Sequence, residues 1–217
     1  VAKFPAEDPR RQIQVNFDQR TQARLRLIEG QPQAALSIAR AELDRLGKLT
    51  LPTDNAGAQR MMRNVLRFNL SIGATAALQL DRAVEAEAMI RQWQAIPADD
   101  RSTNFDPRDL EARSSTLLAH AIALQGRGEE ARTALAPALA YYRQQQEDGA
   151  KGTSFRGDLA YALYVSALTR APGEKERMQQ LAEAKRVLDG ASAEARQLSD
   201  FRDLYGWIAA ARSGGKA

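Results

Sequence analysis

Apolar residues recur at spacings of three and four along one stretch of this chain after another, and each stretch is cut off by glycine, proline or aspartate. That pattern leaves little room for anything but packed helices. Hydrophobic residues make up 44% of the chain and aromatics 6%, so the apolar content is mostly alanine and leucine, which suits closely packed helices. The short alternating runs of β-branched and aromatic residues that an all-β fold needs are absent.

The helices pair off. Residues 11–29 carry Ile13, Phe17, Arg24, Leu25 and Ile28 at helical spacing before Gly30, and Pro32 opens a second helix with Ala35, Leu36, Ala39, Leu43 and Leu46 as its buried stripe. A hairpin over about 11–46 follows. A second spans about 55–96: Met62, Val65, Leu66, Asn69, Ile72, Ala76 and Leu80 stripe its first helix, Asp81 is placed to cap the next, and Ala86, Met89, Ile90 and Trp93 stripe that one up to Pro97. A third, about 106–147, starts at Asp106-Pro107 and turns at Gly126, and Pro137 inside its second helix predicts a kink or a break near Thr133 to Pro137. The fourth covers about 154–189, with Ala171-Pro172-Gly173 as its turn and Met178, Leu181, Ala184, Val187 and Leu188 as the returning stripe. A last helix over about 193–212 has no partner after it and reads as a terminal cap.

At three turns the same small residues stand in register. Gly30 is followed five residues on by Ala35, Asp81 by Ala86 and Gly126 by Ala131, and the middles of the first helices hold Ala23, Ala74 and Ala119. Small side chains are needed where two helix backbones cross closely. In these positions the chain resembles the tetratricopeptide repeat (TPR) over about residues 11–146, with the remainder following by analogy. The turns at 30, 81, 126 and 173 are spaced more widely than the standard unit of about 34 residues. The fourth turn also has Met178 where the alanine belongs. The resemblance implies an all-α chain, an α-α superhelix of TPR-like hairpins with a C-terminal capping helix, forming a single domain over 1–217.

It also implies a function. First helices of such arrays line a concave face that takes a peptide or helix of a partner. Position by position, that face would be lined by Arg20, Arg24, Phe68, Ser71, Thr75, Arg113, Thr116 and His120, with Tyr164 added from the fourth hairpin. Capture of a C-terminal carboxylate by the paired Lys and Asn of some TPR proteins is not implied, since Thr21 and Ile72 stand where asparagine is wanted.

No catalytic constellation competes with this reading. The absence of cysteine removes thiol catalysis, disulfides and thiolate metal sites, and leaves both cytoplasm and periplasm open. His120 is the sole histidine and has no acidic residue three or four positions away, so it reads as a packed or contact residue rather than a base. Asp99, Asp100, Asp106 and Asp109 lack calcium-loop spacing, and the last two suit a helix N-terminus. Gly126-Arg127-Gly128 has neither the preceding strand nor the following Lys-Ser/Thr of a phosphate loop. No metal and no cofactor is implied.

Charge argues against nucleic acid: 31 Lys+Arg and 27 Asp+Glu give +4, and the two signs are interleaved rather than gathered on a stripe. Arg10, Arg11, Arg20, Arg24 and Arg26 make the first hairpin locally cationic, which a solvated face explains and which an acidic peptide, a nucleic-acid backbone or an anionic membrane surface could each use. Trp93 and Trp207 fall in apolar stripes and are expected in the core. No run of apolar residues approaches the roughly 20 of a membrane span, which predicts a soluble chain. The opening on Val1 is expected of a processed or excised part of a larger protein. The expectation is a non-catalytic interaction module or scaffold with a protein or peptide partner. Its rival is a ligand-sensing or regulatory domain of a larger signalling, transcriptional or membrane-anchored protein, with a closed apolar pocket of roughly 300 to 1,000 Å³. Oligomeric state is not encoded in these patterns.

Overall fold

The structure, a computed structural model, describes residues 9–49, 55–97 and 106–213. Among them every regular element is helical. Two compact units divide the chain, residues 1–107 and 108–217, and each is described by itself.

The N-terminal unit holds α1 (Pro9–Ile28), α2 (Pro32–Gly47), α3 (Ala56–Gln79) and α4 (Ala83–Gln94). Helix α1 packs on α2 and α3, and α3 packs on α2 and α4. Pro32 opens α2 where a missing N–H costs nothing, and the side chain of Asn55 accepts from the Ala58 N–H at 3.0 Å to cap α3. Close approach at the centre depends on small residues. A Cβ on Gly73 of α3 would meet Sδ of Met89 from α4 at 2.8 Å and the Ala39 methyl from α2 at 3.5 Å. Leu46, Met62 and Val65 pack together between α2 and α3. The side chains of Arg10, Ile13 and Phe17 lie outside the described residues.

The C-terminal unit holds α5 (Pro107–Leu124), α6 (Gly128–Glu147), α7 (Thr153–Leu168), α8 (Lys175–Asp189), a 3₁₀ turn (Ala195–Gln197) and α9 (Ser199–Arg212). Its core gathers Leu135, Tyr142, Leu159, Leu163, Tyr164, Leu181, Leu188, Phe201, Leu204 and Ile208. Burying a side chain of this size contributes about 1.5 to 3 kcal/mol. Helix α7 lies at the middle: α6, α8 and α9 pack on it, and from Leu159 to Ala167 every residue is buried except half-buried Tyr161. A helix apolar on all sides belongs inside.

Three turns are built alike. Gly30, Asp81 and Gly126 have φ of +70°, +57° and +78°. After each, the next N–H bonds back five residues, Gln31 to Arg26, Arg82 to Ala77 and Arg127 to Ile122, which closes a Schellman motif. The residues that follow, Gln31, Arg82 and Arg127, share φ near −100° and ψ near +60° (−112°/61°, −94°/57° and −90°/58°). Ala35, Ala86 and Ala131, and Ala23, Ala74 and Ala119 on the first helices, are all 0% exposed.

Several expectations are corrected. Asp81 does not cap α4; it occupies the left-handed position that glycine fills at the other two turns, and the N-cap residue is Arg82, without a side-chain bond. Of the kink or break expected near Thr133 to Pro137, the break does not occur, since helix α6 continues through Pro137. The proline faces solvent, where the carbonyl its missing N–H leaves behind meets water. At the fourth turn Gly173 has φ +88°, but α8 starts from an extended Glu174. There Arg177 is buried in place of Met178, its Nη1 donating to the carbonyls of Ala167 and Arg170 at 3.2 Å, while Met178 is 38% exposed. The guanidinium thereby bonds one carbonyl in the last turn of α7 and one in the turn that follows it. Leu25 and Ile28, placed on the periodic face of α1, are about half exposed (48% and 49%).

Candidate functional site

Residues expected to line one binding face fall into two groups. In the N-terminal unit they lie on α1 and α3. The Arg20 guanidinium sits 4.6 Å from the centre of the Phe68 ring, within cation–π range, and the ring stays 37% exposed. Burial, and then the neighbouring charge of Arg24, push the Arg20 pKa down. Arg24 is exposed, and Leu25 and Ile28 continue the exposed surface along α1. Ser71 and Thr75 are half-buried; the Thr75 hydroxyl donates to the Ser71 carbonyl at 2.9 Å, so that donor is used within its own helix. Arg26 pairs with Glu29 at 2.9 Å. The unit therefore presents a partly exposed aromatic ring under a guanidinium, with Arg24, Leu25 and Ile28 exposed further along α1.

In the C-terminal unit the expected lining is closed, which corrects the assignment. Thr116 is 2% exposed and its hydroxyl donates to the Ala112 carbonyl at 2.9 Å. His120 is 6% and Tyr164 1% exposed. What covers them is an aromatic cluster: the His120 ring meets Tyr161 and Tyr164 edge-on at 5.6 and 5.8 Å, and Trp207 of α9 lies 6.5 Å from His120 and 6.0 Å from Tyr164. Helix α9 thus lays Trp207 over the side of α5 and α7 that an array would leave free.

Arg113 is committed to structure. Its Nη2 lies 2.7 Å from Asp158 Oδ2 and 2.8 Å from Ser154 Oγ, and its Nε lies 3.2 Å from Asp109 Oδ2. Burial works against this cation, but the carboxylates of Asp158 and then Asp109 outweigh it and raise its pKa. Asp158 is lifted to about 6 by burial against the pull of Arg113. The pairing also accounts for Asp109. Asp99 and Asp100 lie outside the described residues.

The chemistry open to His120 follows from its surroundings. Its Nδ1 shares a hydrogen bond with the Tyr161 hydroxyl at 2.7 Å, and burial lowers its pKa to about 4. Burial raises the Tyr161 pKa as well. The pair is a neutral, packed hydrogen bond at ordinary pH, and among the described residues no carboxylate is shown bonded to the ring.

No family model, curated protein or solved structure matches the chain. Among the described residues no helix is long and apolar enough to cross a membrane. The parts that sequence reasoning missed are Asp158, Tyr161 and Arg177. Tyr161 and Tyr164 stand three apart in a run that is otherwise apolar, which was a signal that both would pack inward, while nothing in the sequence marks the pairing of Arg113 with Asp158.

Proposed function

We propose that this chain is a non-catalytic protein-interaction module built from TPR-like helical hairpins, and that it holds a peptide or helix of a partner on the α1/α3 face of its N-terminal unit. The repeat reading is supported by the three Schellman turns of matching geometry, each followed by a fully buried alanine. The binding reading rests on one observation above all: Phe68 is exposed with the Arg20 guanidinium over its ring. Exposed aromatic and arginine side chains held together are the usual anchors of an interface. Arg24, Leu25 and Ile28, exposed further along α1, suit a segment that carries acidic and apolar side chains. Thr116, His120 and Tyr164 of the C-terminal unit are enclosed and are left out of the proposed face.

The test is photo-crosslinking with benzoylphenylalanine placed at Phe68 and, as a control, at Val84 on α4, which is 71% exposed. Adducts from position 68 that disappear on Arg20→Glu/Arg24→Glu, with none from position 84, support the assignment. Adducts from 84 but not 68, or adducts indifferent to the charge reversal, would remove it.

The ligand-sensing alternative draws on a separate observation, a pocket of about 330 Å³ in the C-terminal unit that is partly open and rimmed by charged side chains rather than closed and apolar.

A further inference from the structure

That pocket lies where the α6–α7 loop meets α8, and it is independent of the α1/α3 face. Its floor is the edge of the apolar core: Leu159 is 0% and Val187 9% exposed, and Phe155 packs partly buried against the same cluster. Its rim is cationic, with Lys151, Arg156 and Arg186. Glu183 is the sole acid among the lining residues, and Arg143 engages both its oxygens, Nη2 reaching Oε2 at 2.8 Å and Nη1 reaching Oε1. That pair holds the Glu183 carboxyl below its ordinary range. Lys151, Arg156 and Arg186 make no close ion pair among the described residues, although the charge of Arg186 also helps to hold Glu183 ionised.

Arg156 is held in position. Its Nε donates to the Lys151 carbonyl at 3.1 Å, and its guanidinium lies against Gly190, where a Cβ would overlap Nη1. A guanidinium already fixed at a pocket rim loses little freedom on meeting an anion. Helix α7 also starts beside it without a side-chain cap and without an acid in its first turn, so the local helix dipole adds to the positive field.

We propose that this pocket binds an organic carboxylate, its charge met by Arg156, Arg186 and Lys151 and its hydrocarbon part resting on Phe155, Leu159 and Val187. The floor distinguishes this ligand from a bare inorganic anion, and the rim distinguishes it from a neutral apolar molecule. A free branched-chain or aromatic acid and the C-terminal residue of a polypeptide share this chemistry.

The experiment is a titration of the full ¹⁵N-labelled chain, followed by amide chemical shifts. The probes are 4-methylpentanoate, its amide, a pentapeptide ending in leucine as free acid or as amide, and inorganic phosphate. Saturable shifts at Lys151, Phe155 and Val187 are expected with the acids and not with the amides. Tighter binding of either acid identifies the source. Arg186→Glu and Lys151→Glu change exposed side chains and so leave the fold intact; each should weaken binding at least tenfold. Shifts that do not saturate, equal shifts from the amides, phosphate binding as tight as that of the acids, or unchanged affinity in both variants would overturn the proposal.

Discussion

The Nδ1 of His120 and the hydroxyl of Tyr161 lie 2.7 Å apart inside a cluster of aromatic rings, and this burial sets the acid sensitivity of the C-terminal unit. With a folded pKa of about 4 against an ordinary value of 6.5, His120 takes a proton more readily when unfolded. Its contribution is present above about pH 6.5 and is lost as pH falls toward 4, by up to about 3 kcal/mol. Asp158, lifted to about 6, acts with the opposite sign: its folded form keeps a proton that the unfolded chain has released, so stability falls as pH rises from about 4 to 6. His120→Asn keeps a hydrogen-bonding group toward Tyr161 but cannot titrate. Urea unfolding from pH 4.5 to 7.5 should show the wild type's advantage over this variant shrinking as pH falls, whereas a constant difference would contradict the assigned burial of the ring.

Asp81 occupies a left-handed conformation, φ +57°, that glycine occupies at the two matching turns. Asp81→Gly is therefore expected to stabilise the chain by up to about 1 kcal/mol, and Gly30→Ala or Gly126→Ala to cost about 1 kcal/mol. Added Cβ atoms at 30 and 126 meet nothing within 4 Å, so the loss would be conformational strain alone. Chemical denaturation midpoints at constant slope measure both effects.

Gly128 and Gly73 test close approach in different ways. A Cβ at 128 would sit 2.8 Å from the backbone oxygen of Thr169, whereas at 73 it would meet the flexible Met89 side chain at 2.8 Å. Gly128→Ala is expected to cost about 1 to 3 kcal/mol because backbone must move. Gly73→Ala should cost less, since Met89 can shift and alanine favours a helix interior by about 1 kcal/mol over glycine. Thermal unfolding of the two variants side by side gives the order.

Turn chemistry made the helices legible from sequence. Gly30, Gly126 and Pro32 act through backbone sterics that depend on a few neighbouring residues, and the structure places them as those sterics require. Burial was less legible, because periodicity locates an apolar face without saying what covers it. Leu25 and Ile28 share the helical period of α1 and are half exposed, while residues 159–167 of α7 are buried on almost every side, which no single stripe would show. The seating of Arg177 inside, with Met178 outside, depends on the carbonyls of Ala167 and Arg170 across the turn, to which it donates, and side-chain hydropathy points the other way. His120 and Tyr164 could not be placed from α5 and α7 by themselves, since Trp207 reaches them from α9.

The binding face is tested most directly by the affinity of the partner captured through position 68, measured by calorimetry against the wild type and Phe68→Ala. The ring is 37% exposed, so its removal should lower stability by only about 1 to 2 kcal/mol and leave the chain folded, while weakening the complex at least tenfold, the loss of about 1.4 kcal/mol expected of an aromatic anchor. An equal dissociation constant for the two proteins, with both fully folded, would contradict the α1/α3 face as the place where the partner is held.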